Sequence, residues 1–370
     1  MNICYIYDAA YPWEPGGVQK RVWELSTRLA RNHDVHWYSL QYWDGPKHIE
    51  RDGVMLHGVQ EATDLYVGDR RSISEALRFA SRLVTALPRN EFDVIDCQEF
   101  PYFPIFSSKL RSMMGRPTLL VTWHEVWDQY WYEYLGWKGI CGQAVERLAA
   151  RVADTHVAVS KRTYQEVQQL GARNPHYVPN GIDLAYVDSV PPANREIDFL
   201  YVGRLIPEKG VDLLIRALDQ LIEHHRIDPT CLIVGDGPAK HDIHKLIDER
   251  GLAEHVEVHP FREQYQDVLA LMKASRVFAL PSRREGFGIT ALEALACKTP
   301  VATIDHPHNA ASDLITDGKD GTISRPTPTA FAQALNRAMF IPTDHCRDVA
   351  CAYEWDRIAR GMEQLYRTVA

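Results

Sequence analysis

At 370 residues the chain is too long for one ordinary core, and two domains of about 150 to 190 residues are expected. Hydrophobic residues make up 45% and charged residues 24%, with 41 Lys and Arg against 49 Asp and Glu for a formal charge of −8. That balance lacks the basic excess of a nucleic-acid binder, yet a local basic cluster still suffices for a small anionic substrate. No run of roughly 18 apolar residues is present to span a membrane, and Met1–Asp8 reads as a buried first strand, not a signal peptide. The cysteines at 4, 97, 141, 231, 297, 346 and 351 are odd in number and form no Cys-x-x-Cys pair, so a reducing cytoplasm is expected.

In chain order, short apolar runs predict strands at Ile3–Tyr7, Val35–Leu40, Val54–Val59, Val94–Cys97, Thr118–Thr122, Thr155–Val159 and Tyr177–Val178. Helical stretches such as Val18–Asn32, Ser72–Leu87 and Gly139–Ala153 lie between them. The second half repeats the theme, with strands at Ile197–Val202, Cys231–Val234, Val256–Val258, Val277–Leu280 and Val301–Ile304. Its helices should cover Val211–His225, Ala239–Arg250, Gln264–Ala274, Gly288–Cys297 and Pro328–Met339. Such alternation calls for an α/β protein of parallel, doubly wound sheets, most simply two similar Rossmann-like domains facing a central cleft. The adjacent prolines in Asp188–Asn194 cannot continue a helix and mark the expected boundary, giving domains 1–188 and 189–345. The remaining tail, 346–370, carries apolar residues at 355, 358, 359, 362, 365 and 366, one face of a helix that must pack on something.

Four segments carry candidate chemistry. In Gly203-Arg204-Leu205-Ile206-Pro207-Glu208-Lys209-Gly210 a strand ends, two cations follow and a helix begins, a setting that suits a phosphate or diphosphate. The same loop also reads as a solvated turn whose charges pair with Glu208. Gly235-Asp236-Gly237 follows a strand, but Lys240 stands where a dinucleotide fingerprint needs its third glycine, which disfavours an oxidoreductase. In Glu285-Gly286-Phe287-Gly288 through Glu293, glycines let the backbone turn at a helix start while two carboxylates flank the turn. Carboxylates accept hydrogen bonds from vicinal hydroxyls, as ribose and hexoses offer. In the first half, Pro15-Gly16-Gly17 opens the first helix, and Val121-Thr122-Trp123-His124 ends a strand with an imidazole at its carboxyl tip.

Taken together, Gly-Arg-x-x-x-x-Lys-Gly at 203–210, Glu-x7-Glu at 285–293, the Gly16-Gly17 turn and Val178-Pro179-Asn180-Gly181-Ile182-Asp183 resemble the retaining glycosyltransferases of family 4, with the GT-B fold. The resemblance runs through nearly the whole chain in the right order. It implies that Arg204 and Lys209 bind the donor diphosphate, Glu293 the nucleotide ribose, and Glu285 hydroxyls of the transferred sugar. Phe287, Gly288 and Ile289 would supply backbone contacts around that sugar, and Gly17 would lie against the diphosphate. Arg262 falls where the family contacts the base, and His124 matches a histidine near the reacting centre. The tail helix would cross back onto the first domain. The pattern departs after Val301–Ile304, where Asp305–Asp313 replaces a glycine-rich turn and a Glu, and the donor sugar stays open.

The expected activity is metal-independent, retaining transfer from a UDP- or GDP-sugar, a co-substrate with no further cofactor, to a glycan, lipid-linked or small-molecule acceptor. Catalysis would fall to His124, Arg204, Lys209 and Glu285. No Asp-x-Asp triplet or metal-ligand spacing is present. The aromatic-dense stretch Trp123–Trp137 reads either as an acceptor or peripheral membrane surface at the inner face of the membrane, or as a packed flap. A sugar-nucleotide epimerase and a non-catalytic nucleotide-sugar binding protein are the alternatives.

Overall fold

The computed structural model describes residues 1–67, 70–225, 227–261 and 264–370. The chain divides into two compact units, Met1–Gly181 with Trp355–Ala370, and Ile182–Glu354.

The first unit runs β1 (Asn2–Ile6), α1 (Gly17–Leu29), β2 (Asp34–Gln41), β3 (His48–Arg51) and β4 (Val54–Glu61). A small hairpin of β5 (Tyr66–Val67) and β6 (Arg70–Arg71) precedes α2 (Ile73–Ala86), β7 (Val94–Gln98), α3 (Phe103–Met113) and β8 (Thr118–Trp123). Then come α4 (Tyr130–Leu135), α5 (Gly139–Val152), β9 (Thr155–Ala158), α6 (Lys161–Gln169) and β10 (Pro175–Tyr177). Eight strands form one sheet in the order β10-β9-β8-β7-β1-β2-β4-β3, parallel except for the edge strand β3. Strands such as β1, β7 and β8 are buried on both faces, as expected of a parallel sheet between helical layers.

The second unit opens with α7 (Leu184–Ser189) and β11 (Ile197–Val202), then α8 (Val211–His225), β12 (Cys231–Val234), α9 (Lys240–Glu249) and β13 (Val256–His259). It continues through α10 (Tyr265–Lys273), β14 (Ser275–Leu280), β15 (Arg284–Glu285), α11 (Ile289–Ala296), β16 (Val301–Ile304) and β17 (His308–Asn309). The last elements are β18 (Gly321–Ser324), α12 (Pro328–Ala338) and α13 (Asp344–Cys351). Six strands make a parallel sheet in the order β13-β12-β11-β14-β16-β18.

The predicted strands and helices are present within a few residues, whereas β3, the small hairpin, β18 and α13 had no apolar signature. The division falls earlier than the proline pair. Residues 182–190 are tied to the second unit by Ile182 N–H to the Tyr353 carbonyl (2.8 Å), the Arg347–Asp188 ion pair (2.6 Å) and Lys273 Nζ on the Val187 and Val190 carbonyls (2.6 and 2.5 Å). Likewise α13 stays with the second unit, its buried Cys346 packed beneath Asp320. Only α14 (Trp355–Val369) joins the first unit. There Trp355, Ile358, Ala359, Met362, Leu365 and Tyr366, its whole apolar face, are buried. Among the described residues no helix is long and apolar enough to cross a membrane.

Candidate active site

In the second unit the chain fills one side of the sheet with β12 and β13 and the other with β14, β16 and β18, so the strand order reverses between β11 and β14. Loops leaving two such neighbours diverge and open a crevice at their carboxyl ends, the usual ligand position in doubly wound sheets. Two of the segments singled out in the sequence, 203–210 and 285–293, leave these two strands. Lys209 ends a 3₁₀ turn (Pro207–Lys209) after β11, and Glu285 follows β14. Lys209 Nζ lies 2.6 Å from Glu285 Oε1, with the side chains 22% and 12% exposed. The two loops are knitted by Arg283 N–H donating to the Glu208 carbonyl (2.8 Å). Gly210 adopts φ 66°, and a Cβ there would stand 2.3 Å from the Pro281 carbonyl oxygen. Only glycine allows that approach.

Glu285 is held in register by a two-residue parallel pairing, opposite Asn309. Asn309 is fully buried and donates to Thr303 Oγ1 (3.0 Å) and the Ile304 carbonyl (2.8 Å). The divergent loop 305–313 thus serves as the backing of Glu285, and its Asp313 is exposed. Arg204 is exposed, its carbonyl accepting from the Tyr201 hydroxyl (3.0 Å). At the start of α11, Phe287 is buried edge-on to Tyr353 (5.8 Å), Gly288 is left-handed, and Ile289 is half-buried. Within that helix Glu293 is 5% exposed and accepts from the Tyr265 hydroxyl (2.7 Å), whose ring stacks on Tyr186. Arg262 lies outside the described residues.

Gly288 has φ 89°, and an added Cβ would meet Ala311 Cβ at 2.4 Å. Gly288→Ala is therefore expected to destabilise the second unit by about 1–3 kcal/mol through backbone strain, and more if Ala311 cannot retreat. A melting curve identical to wild type would overturn this.

In the first unit Gly17 is exposed at the first position of α1, with Gly16 as the cap. His124 follows β8, and its Nε2 lies 2.9 Å from Gln98 Oε1 at the end of β7. Burial, aided by the Arg21 charge, pulls the imidazole down to about 3. His124 is thus neutral, and an NMR titration of its ring should show no midpoint between about pH 5 and 8. A midpoint near its ordinary value would refute that. Behind Gln98 stands Asp96, 1% exposed, which accepts from Tyr366 Oη (2.6 Å), Thr122 Oγ1 (2.8 Å) and Gln98 Nε2 (3.1 Å). Burial pushes the Asp96 carboxyl up from its usual range, and these donors with the Arg21 charge pull it back. Next to Gln98, burial raises the Glu99 carboxyl well above its ordinary range.

Sequence reading missed Gln98, Asp96, Tyr265 and Asn309. For the first two a signal existed, since polar residues at alternate positions of an otherwise apolar strand share one face. The aromatic stretch is divided between interior and surface, with Trp127, Tyr130 and Tyr134 half-buried and Tyr132 exposed. Trp127 packs against Phe100 (4.9 Å), Trp131 (4.7 Å) and Tyr134 (5.0 Å), and Trp123 and Trp131 are buried, while Trp137 is 79% exposed.

This arrangement of sheets and loops recurs in solved structures. Sucrose-phosphate synthase from Thermosynechococcus elongatus superposes with a TM-score of 0.81 at 20% identity, over 99% of this chain and 98% of that one. Anabaena HepE in complex with UDP-glucose gives 0.76 at 19%, over 100% of both. The fold is the GT-B fold of glycosyltransferases. Residues 15–186 match Glycosyltransferase Family 4 and residues 186–350 match Glycosyl transferases group 1. A GDP-mannose-dependent alpha-(1-6)-phosphatidylinositol monomannoside mannosyltransferase of Mycolicibacterium smegmatis is 38% identical over 341 residues, 85% of this chain and 82% of the relative. The chain belongs to glycosyltransferase family 4. Against other curated glycosyltransferases it spans 36%, 58% or 48% of the relative's length.

Proposed function

We propose that this glycosyltransferase moves a hexose from a GDP- or UDP-sugar to an acceptor hydroxyl with retention at the anomeric carbon. The observation that carries the reading is the Lys209–Glu285 pair at the strand-order reversal of the second sheet. A cation and a carboxylate held together there match the two ends of a sugar diphosphate, one anionic and one rich in hydroxyl donors. In this reading Lys209 and the exposed Arg204 neutralise charge on the departing diphosphate as the bond from anomeric carbon to phosphate oxygen breaks. The acceptor oxygen bonds the same face, and its proton passes to the departing phosphate. Glu285 accepts from hydroxyls of the sugar and Glu293 from the ribose, with backbone N–H groups at 287–289 around the sugar. Arg262 is assigned to the base. From the first unit, Gly17 is assigned to the diphosphate and the neutral His124 to the reacting centre. No metal or cofactor is given a role.

GDP-mannose and UDP-glucose are the donors put forward here, since the mycobacterial enzyme is named for GDP-mannose and the HepE complex holds UDP-glucose. The acceptor is a glycan, a lipid-linked polyol or a small polyol. The exposed Trp137 is assigned to peripheral contact with the cytoplasmic face of a membrane, and unchanged vesicle co-sedimentation of Trp137→Ala would refute that. Neither alternative, epimerase or non-catalytic binder, is favoured by a structural observation.

A thermal-shift panel of GDP-mannose, UDP-glucose and ADP-glucose tests the reading. At a hundredfold excess over Kd a bound donor stabilises by about 2.7 kcal/mol, a melting rise of several degrees. We expect GDP-mannose or UDP-glucose to give that rise and to be turned over. No shift and no product with any of the three would overturn the assignment.

A further inference from the structure

His124 can carry its proton on either ring nitrogen, and the choice decides whether it accepts or donates a hydrogen bond at the site. A ring nitrogen 2.9 Å from an amide group fixes the choice only if the amide itself is fixed. In this chain it is. Gln98 is 2% exposed, and its Nε2 lies 3.1 Å from Asp96 Oδ1. Turning the amide over would set its oxygen against that carboxylate oxygen, exchanging a charge-assisted hydrogen bond for a contact between two acceptors. Asp96 is in turn committed as an acceptor, because the Tyr366 hydroxyl reaches its Oδ2 and the Thr122 hydroxyl its Oδ1. Tyr366 sits in the last full turn of α14, fully buried, with its hydroxyl also 3.0 Å from that of Tyr5. Burial pushes the Asp96 carboxyl up, while the Tyr366, Thr122 and Gln98 donors and the Arg21 charge all favour its carboxylate form. Every link therefore has one sense: Tyr366 and Thr122 donate to Asp96, Gln98 donates to Asp96, and Gln98 Oε1 is left facing His124.

We propose that Gln98, oriented by Asp96 and Tyr366, is a positioning residue that holds His124 as the Nε2–H tautomer and leaves Nδ1 as a hydrogen-bond acceptor for substrate. Nδ1 has no partner among the described residues. An acceptor nitrogen recognises a hydroxyl group and repels a phosphate oxygen, so His124 serves the sugar or the attacking hydroxyl, not the diphosphate. The role in turnover rests on the glycosyl-transfer reading given above, whereas the tautomer does not.

The experiment uses the full chain labelled with ¹⁵N-histidine and long-range ¹H–¹⁵N correlation, the His124 ring being identified by its loss in His124→Asn. Wild type should show His124 protonated at Nε2 and bare at Nδ1. In Gln98→Leu the two tautomers should mix. Turnover of GDP-mannose or UDP-glucose by that variant should fall on the order of 10- to 100-fold in kcat, with KM within about twofold. Tyr366→Phe should shift both readouts in the same direction and stands in if Gln98→Leu does not fold. An Nδ1–H tautomer in wild type overturns the proposal. So does Gln98→Leu with an unchanged ring, or one that raises KM alone. If wild type turns over no nucleotide sugar, the functional reading fails, while the ring spectrum still decides the tautomer claim.

Discussion

Glu285→Gln is expected to lower sugar transfer by about 100- to 1,000-fold, and Lys209→Ala by a similar factor, the scale seen when one preorganised group facing developing charge is removed. The structure makes the two effects interdependent. With Nζ and Oε1 2.6 Å apart and both side chains largely buried, loss of either leaves its partner without a counter-charge. Glutamine keeps the shape of residue 285 and one acceptor oxygen but offers no charge, so Lys209 is released from its 2.6 Å contact and, on the proposed reading, from the donor diphosphate. The double variant should therefore be little worse than either single one, because the pair acts as a unit. Steady-state transfer by the four proteins, with melting curves to confirm folding, checks this. Near wild-type turnover in either single variant would dismiss the site. Fully multiplicative losses would show that the two residues act independently.

The largest effect on stability is expected at Arg21. Its guanidinium is 1% exposed, and it is satisfied by Asn180 Oδ1 (3.1 Å) and by the carbonyls of Pro179 (2.5 Å) and Val178 (2.9 Å). Those acceptors lie in the Val178–Asp183 segment, so α1 fastens the end of the first unit through one side chain. Arg21→Met fills comparable volume but strands three acceptors in the interior and removes the cation beside Asp96. Unsatisfied buried polar groups cost about 1–3 kcal/mol each, and breaking a buried ionic arrangement about 3–5 kcal/mol, so a loss of about 3–5 kcal/mol is expected. Urea unfolding followed by tryptophan fluorescence measures it. A change below about 1 kcal/mol would mean that water or a rearranged side chain replaces Arg21 without penalty.

These two cases separate what could be read in the sequence from what could not. The strands were legible because a parallel strand buried on both faces must be an unbroken apolar run, as in Leu119–Val121 or Leu232–Val234. Strand β3, reading His-Ile-Glu-Arg, is an exposed edge with no such run. The proline pair was a sound stop signal, but a domain border is set by which contacts a segment makes. Lys273 and Arg347, far along the chain, hold 187–190 to the second unit. The cations and carboxylates around the 203–210 and 285–293 loops stood out by their glycines and helix starts. That Lys209 meets Glu285 is a product of β11 lying next to β14, which no local spacing encodes. Arg21 was invisible for a related reason: one arginine in an amphipathic helix looks like a solvated one until its acceptors arrive from 157 residues away.

Helix α14 has a consequence for how the protein is made. Its apolar face, the Tyr366 hydroxyl on Asp96 and the Val369 carbonyl accepting from Thr118 Oγ1 (2.6 Å) all belong to the first unit, which otherwise ends at Gly181. On the ribosome, where domains generally fold as they emerge, the second unit's 182–354 is synthesised before the first can be closed. During that interval the groove for α14 exposes apolar surface and leaves Asp96 without its tyrosine. The unit translated first is thus completed last, and a nascent chain stalled before Trp355 should be open to proteases and chaperones on the surface that α14 later seals.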